Sequence, residues 1–541
     1  MKNKLLLVLI LILAFALRYF KITSYPATLY GDEQAFAWNA YNIMKLGTDE
    51  YGTPFPLHFR SFNDYKAPVP VYLLVPFFKV FGMNAWSIRT PVIVASFLTV
   101  AVFYYFCAFF LSGKISLLGT FLFAVSPWHI HLSRGYFEST LALFFFMSGI
   151  FLFFKSRLKF KLLIPAGFLF ALTVYTYFTP RILLLFFLPL LIYFGIKFFA
   201  GNNVKSVIPS LLIFSTVILI LCLPMIGLTF FRGGLSRFNK LNETVSQLIT
   251  QSVNFERNAS LLPLDMRKLL HNKVTVRLRL VKNNYLEHLS VNFWYLYGDN
   301  SLRYFLGNMG MFYLFEMPFF ISGLIFYLKQ KNKFSLFLIF WILLAPIPAA
   351  LVGRSFAVRS LNMLPAPFIF VSAGIVYIAD KFRRKSFRMF FNTLLTLAVI
   401  GFMMHTLIKY YFEYPVYGAT WWGWENKTAL DYAKTRENQY DRIFISDYYT
   451  GAPLAFAVYN SYDPLKFRRA VNNPVTIADN RRLVKLGKYY FGSLDLDKER
   501  LLKNIIPPRS LYIGRPEEPE SGLTINAPDD SRVLFNIYSI N

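Results

Sequence analysis

Apolar runs of helical length recur along this chain, separated by short charged connections. A helix that crosses a bilayer core needs about 20 predominantly apolar residues. Backbone in lipid must satisfy its own hydrogen bonds, so runs of this kind fold as helices. Eleven segments fit, at roughly 4–22, 91–112, 115–132, 139–154, 162–178, 181–197, 206–228, 306–328, 334–352, 360–379 and 389–411. Of the 541 residues, 55% are hydrophobic and only 16% charged, a balance foreign to a soluble globular domain. The stretch 68–82 (PVPVYLLVPFFKVFG) is apolar too, but its prolines and Lys79 suit an interfacial or re-entrant helix rather than a span.

Charge sets the expected orientation. The formal net charge is +28, from 57 basic and 29 acidic residues. Many of the cations lie in short runs between apolar segments, which membrane topology explains better than a nucleic-acid partner. With Lys2 and Lys4 inside, Lys114, KSRLKFK (155–161), KQKNK (329–333) and DKFRRKSFR (380–388) all fall on the cytoplasmic side. The fold expected is therefore a polytopic α-helical membrane protein of about 11 transmembrane helices, N-terminus in and C-terminus out, surrounded by membrane lipids. The first run lacks a clear small-x-small cleavage site and reads as a retained span. Cys107 and Cys222 lie inside apolar runs and read as core residues, with no disulfide framework or zinc spacing.

Three parts then face the exterior: loops 23–90 and 229–305, and a tail. The expected division is a transmembrane domain, 1–411, and a soluble extracytoplasmic α/β domain, 412–541. The tail is charged and carries the strand-like runs RIFIS (442–446), SLYIG (510–514) and RVLFNIYSI (532–540), with a helical stretch (452–460) after the first.

The first exterior loop opens on LYGDEQAFAWNAY (29–41). Phe36, Ala40, Ile43 and Met44 recur at helical spacing, and Asp32 and Glu33 would stand at the N-terminus of that helix. Carboxylates favour helix N-termini for purely electrostatic reasons, so the pair alone does not define a site. Glu316 lies inside the eighth apolar run, where a charge is functional by default unless it pairs with an Arg or marks the edge of the span. His129 and His131, at i and i+2, point apart on a helix and suit an aromatic interfacial setting better than a metal. WWGWEN (421–426) reads as an interfacial tryptophan anchor, and YTYFTPR (175–181) as part of an aromatic belt.

Three motifs in order point further. The DE pair is followed by Lys66-Ala67-Pro68 and then by FGMNAWSIRTP (81–91), which turns into the second span. SPWHIHLSRGYFEST (126–140) places an Arg and a Glu before the fourth span, and RSFAVRSLNMLPAP (354–367) enters a late span. This order over residues 1–410 resembles the GT-C superfamily of membrane glycosyltransferases, and within it the protein O-mannosyltransferase and aminoarabinose–lipid A transferase branch. The chain departs from that pattern in two places: Ala67-Pro68 stands where two prolines are usual, and Glu138 stands where Asp is common.

The resemblance implies transfer of a sugar from a polyprenyl-phosphate donor to a lipid, glycan or protein acceptor on the outer face of a plasma membrane, a bacterial inner membrane in this branch. A hydroxyl acceptor needs a general base. Asp32 is the candidate base, with Glu33 orienting it or binding acceptor and Glu138 as the second catalytic carboxylate. Asp32 and Glu138 are also the candidate ligands for a divalent cation, Mg²⁺ or Mn²⁺. The leaving lipid phosphate calls for cations, and Lys66, Arg134, Arg181 and Arg359 fall at exterior ends of spans. Tyr30, beside the pair, joins them as a substrate-binding candidate. The competing reading is a lipid or glycan flippase. It predicts inverted repeats and mid-membrane polar groups, whereas these charges gather at loop ends.

Overall fold

The computed structural model describes residues 2–61, 64–199, 204–231, 236–353, 357–477, 480–497, 502–519, 521–529 and 532–540. The chain divides into two compact units. One comprises Met1–Phe20, Phe62–Val69 and Val92–Thr406, the other Lys21–Ser61, Pro70–Pro91 and Leu407–Asn541. The second unit thus joins the C-terminal stretch to most of the loop 23–90.

Every one of the eleven apolar segments carries helix. Among the described residues, six helices are long and apolar enough to cross a membrane: Ala85–Phe110, Glu138–Lys155, Phe178–Phe199, Ile208–Thr229, Lys333–Val352 and Lys385–Tyr417. A seventh follows if Ala357–Met363 and Pro365–Lys381, bent by 56°, are counted as one. Segment 115–132 is broken into Gly113–Ala124 and Pro127–Leu132. Pro127 lacks an N–H, and the Ser126 hydroxyl caps the new helix by accepting from His129 N–H at 3.3 Å. Segment 306–328 is helical only from Glu316. The Glu316 carboxylate accepts the Tyr313 N–H at 3.1 Å, so this buried acid marks the start of its helix. The loop 229–305 is itself helical, with Ser236–Ala259, Leu264–Leu270 and Lys273–His288.

Helices of the first unit approach closely where side chains are absent. Glu316–Gln330 crosses Pro365–Lys381 at Gly323 and Gly374, and a Cβ on either would collide with the carbonyl of Phe370 or Phe319. In the second unit, seven strands form one sheet in the order Val475–Ile477, Arg481–Leu486, Tyr489–Phe491, Arg442–Ile445, Ser510–Gly514, Val533–Ile540, Thr524–Asn526. Arg442–Ile445 runs parallel to both its neighbours, and the outer pairings are antiparallel. Strands covered on both faces are apolar throughout, as Ser510–Gly514 is buried throughout. On one face Phe444 stacks on Tyr490, with ring centroids 4.8 Å apart. On the other, Phe456 of the helix Ala452–Tyr459 packs on Tyr489 and Phe491. The α/β tail expected from the strand runs is therefore present.

Candidate functional site

The helix Gly31–Leu46 carries the DE pair in its first turn. Its alanines favour helix, and Gly47, at φ 69°, ends it by donating to the Ile43 carbonyl. It is buried nearly all round, including Phe36, Trp38, Ala40 and Ile43, so its orientation is fixed by packing. The two acids of the pair have different surroundings. Glu33 has no exposed surface, whereas Asp32 is half-buried.

Glu33 is gripped by Arg89. Arg89 Nε donates to Glu33 Oε1 at 2.9 Å and Nη2 to Oε2 at 3.1 Å, a two-point fork between groups with no exposed side-chain surface. Arg89 Nη1 also donates to the carbonyls of Ile22 at 2.8 Å and Pro26 at 3.0 Å, and Nη2 to that of Thr28 at 2.5 Å. A guanidinium has five N–H donors, and all five of Arg89 have an acceptor here. Glu33 Oε2 in turn accepts the N–H of Tyr30, the residue that caps the helix. One buried cation thus fixes both the segment that leads into the DE helix and its first turn.

The motif that delivers Arg89 is built for the purpose. Gly82, at φ 73°, ends the helix Pro68–Phe81. Asn84 and Ser87 cap the next helix reciprocally: Ser87 N–H donates to Asn84 Oδ1 at 3.0 Å and Asn84 N–H to Ser87 Oγ at 3.1 Å. Trp86 closes the turn edge-on against Phe81 at 4.8 Å. Arg89 follows one turn into the helix Ala85–Phe110.

The tail of the same unit completes the setting. Trp422 is buried, lies edge-on to the Tyr30 ring at 5.4 Å, and its ring is 5.9 Å from the Arg89 guanidinium. The Thr28 hydroxyl donates to the Trp422 carbonyl. Gly423, at φ 77°, lies against Leu29, where a Cβ would be 3.2 Å from the carbonyl oxygen. The Tyr459 hydroxyl accepts the Leu29 N–H at 3.1 Å, and burial, ahead of the other influences on it, pushes that phenol up to about 12. Arg468 donates to the Asp49 and Glu50 carbonyls at 2.7 and 3.0 Å, beyond the other end of the helix. WWG is therefore a packing piece here; Trp421 is partly exposed but Trp422 is inside.

The remaining candidates belong to the first unit. Lys66 ends the strand Asp64–Lys66 and is buried. Glu138 opens the helix Glu138–Lys155, half-buried and close to the buried Tyr136 phenol. Arg134 is wholly buried and donates to the carbonyls of Leu17 at 3.0 Å, Arg18 at 3.1 Å and Phe20 at 2.7 Å. A cation here satisfies the orphan carbonyls at the end of the helix Lys2–Tyr19. Arg18 returns the contact, donating to the Ala124 carbonyl at 3.0 Å and to His129 Nδ1 at 2.8 Å. His129 stacks on Phe123, and His131 Nε2 bonds the Arg303 carbonyl at 2.9 Å, so the two histidines have separate partners. Arg181 donates to Val174 O at 3.2 Å and to the Thr229 hydroxyl at 3.1 Å.

Arg359 lies on the short helix Ala357–Ser360; Arg354, from the same motif, lies outside the described residues. The segment is anchored by Asp299, whose carboxylate accepts the N–H of Ser301 at 2.8 Å and that of Ala357. Burial raises the Asp299 carboxyl to about 6, against the opposing pull of those two hydrogen bonds and of the Arg359 charge. Burial likewise lowers the neighbouring His288 imidazole. The sequence reading missed Arg89 and Asp299. Arg89 stood in the quoted turn motif without a role, and Asp299 was signalled only by the turn pair Gly298-Asp299, with Gly298 at φ 68°.

Asp32, Glu33 and Tyr30 fall in one unit; Lys66, Arg134, Glu138, Arg181 and Arg359 fall in the other. Among the described residues no three His, Cys, Asp or Glu side chains are grouped to hold a metal ion, and no step below is routed through a cation.

Residues 65–227 match the family of dolichyl-phosphate-mannose-protein mannosyltransferases. No curated protein matches the chain. In fold, the chain is similar to ArnT from Cupriavidus metallidurans in its apo state, with a TM-score of 0.51 at 11% identity, covering 86% of this chain and 87% of that one. The same protein bound to undecaprenyl phosphate gives a TM-score of 0.47 at 11% identity, covering 86% and 75%. The archaeal oligosaccharyltransferase AglB from Archaeoglobus fulgidus, in complex with an inhibitory peptide and a dolichol-phosphate, gives 0.48 at 15% identity. The alignment covers 84% of this chain but only 63% of AglB's length. The GT-C resemblance drawn from the motifs holds in the sequence family and in the helical fold with its C-terminal sheet.

Proposed function

We propose that this membrane protein is a glycosyltransferase that moves a sugar from a polyprenyl-phosphate donor to a lipid, glycan or protein hydroxyl at the exterior membrane face. The observation that carries the reading is the unequal treatment of the DE pair. Glu33 is committed to Arg89 and the Tyr30 N–H, which fixes the first helical turn. Asp32, next along, keeps a half-buried carboxylate on that fixed turn. A base held on a rigid element meets the positional demand of proton transfer.

In the proposed reaction, Asp32 takes the proton of the acceptor hydroxyl as its oxygen attacks the anomeric carbon. The bond from that carbon to the phosphate oxygen breaks, and the polyprenyl phosphate leaves with the electron pair. A single displacement of this kind inverts the anomeric centre. Cations offset the growing phosphate charge. Lys66, Arg181 and Arg359 are proposed for that role; Arg134, with its three carbonyl acceptors, is better suited to hold the end of the first helix in place. Glu138 is the alternative base. The family description and the lipid phosphates bound by the solved relatives support a lipid-linked donor. Eleven spans with the N-terminus inside put both the DE helix and the tail outside, in a bacterial inner membrane.

The test is transfer of radiolabelled sugar from polyprenyl-phosphate donors in membranes, with donor binding followed in parallel. Asp32→Asn should abolish transfer and retain binding. Equal transfer by wild type and variant would remove Asp32 as base. A retained anomer would rule out the single displacement.

A further inference from the structure

Residues 255–286 form a cationic, apolar-faced hairpin for which neither the proposed reaction nor the spans account. The helices Ser236–Ala259 and Lys273–His288 pack through Ile249, Val253 and Val276. Glu256 ties them by pairing with Arg279 and, at 3.1 Å, with His271. Arg257 Nε adds a bond to the His271 carbonyl at 2.8 Å, and Asn272 caps the second helix by accepting from Val274 N–H at 2.9 Å. The hairpin therefore holds its own shape.

Its outward surface is apolar. Leu261 is 100% exposed, Leu264 63%, Leu269 71%, Val274 66% and Leu278 64%. At about 100° per residue, Val274 and Leu278 each lie about 200° from the buried Val276, so they point away from the partner helix. Between 255 and 286 stand seven Lys and Arg against two acids, one of which is the internally paired Glu256. Lys268, Lys273, Arg277 and Lys282 are exposed among the apolar residues. The helices are too short or too charged to span: none of the three is among those long and apolar enough to cross. They follow directly after the apolar helix Ile208–Phe231 in the chain.

A basic helix with a large exposed apolar face lies in a membrane interface, its side chains in the acyl boundary and its cations among anionic headgroups. We infer that residues 255–286 are an interfacial hairpin that inserts Leu261, Leu264, Leu269, Val274 and Leu278 into the bilayer surface and selects anionic phospholipid. Long Lys and Arg side chains reach from such a face to the headgroups. Each cation near an anionic surface strengthens association about fivefold.

The experiment uses full-length protein in vesicles of phosphatidylcholine, with or without phosphatidylglycerol. An environment-sensitive fluorophore is attached at Leu269→Cys, Val274→Cys or Gln251→Cys; both native cysteines are buried. Gln251 is exposed, about 200° from the buried Val253 on its helix, and serves as the control turned away from the face. Labels at 269 and 274 should be blue-shifted and quenched by nitroxide-bearing lipid, more strongly with phosphatidylglycerol present, while the label at 251 is not. Arg277→Gln with Lys282→Gln should remove the phosphatidylglycerol increment. Quenching at 269 and 274 no greater than at 251 in either vesicle overturns the inference, and equal quenching in both vesicle types overturns the selection for anionic lipid.

Discussion

Removing Arg89 should cost the second unit far more than any exposed ion pair would. The guanidinium makes two bonds to a carboxylate with no exposed surface and three to main-chain carbonyls. Breaking a buried pair by deleting one partner costs about 3–5 kcal/mol, because the other charge is left uncompensated. Arg89→Ala should therefore lower stability by about 4 kcal/mol, a large share of the roughly 5–15 kcal/mol that holds a domain folded. Glu33→Gln should cost nearly as much. Its amide would present N–H groups either to Arg89 Nε or to Arg89 Nη2 and the Tyr30 N–H, which are all donors. Replacing both residues with apolar ones, Glu33→Leu with Arg89→Met, should recover much of the loss, since buried pairs often exchange for apolar residues at little cost. Transfer should not recover with it, because the carbonyls of residues 22–28 would lose their common donor and the first turn its anchor. The assay is a double-mutant cycle read by thermal unfolding in detergent, with transfer measured on the same samples. Single variants within about 0.5 kcal/mol of wild type, the range of ordinary surface changes, would refute the reasoning. So would strictly additive losses, because the fork would then contribute no coupling.

Two other perturbations follow. Gly423→Ala should lower stability by about 1–2 kcal/mol, from the positive φ of 77° and the Leu29 carbonyl beside its Cβ, a loss read as a fall in melting temperature. Asp299 has a carboxyl raised from 3.8 to about 6, chiefly by burial, so its charged form is disfavoured in the fold. Stability from this group is present below the unfolded value and falls as pH rises through the window between the two, by about 3 kcal/mol in all. The difference in melting temperature between Asp299→Asn and wild type should then shift in the variant's favour from pH 4 to pH 7; a flat difference would show an ordinary carboxyl.

Periodicity and composition determined much of this protein. Apolar runs in a lipid-compatible chain have one way to satisfy their backbone, so all eleven segments carry helix, although 115–132 breaks before Pro127 and 306–328 is helical only from Glu316. The short runs RIFIS and SLYIG likewise announced strands, because β-branched and aromatic residues suit a pleated, packed backbone. The DE helix was legible from Phe36, Ala40 and Ile43, which are indeed buried. What the pair does was not legible. Asp32 and Glu33 are adjacent and chemically alike, and only the arrival of Arg89, 56 positions away, separates a locked carboxylate from a half-buried one. Asp299 reaches Ala357 across 58 positions in the same way. Trp422 looked like a membrane anchor because a tryptophan suits an interface and a core equally well. The choice was made by Thr28, Tyr30 and Arg89, which the fold brings to it. Local pattern fixes which backbone form a segment takes. Which carboxylate a buried guanidinium grips depends on contacts that exist only after distant segments have packed.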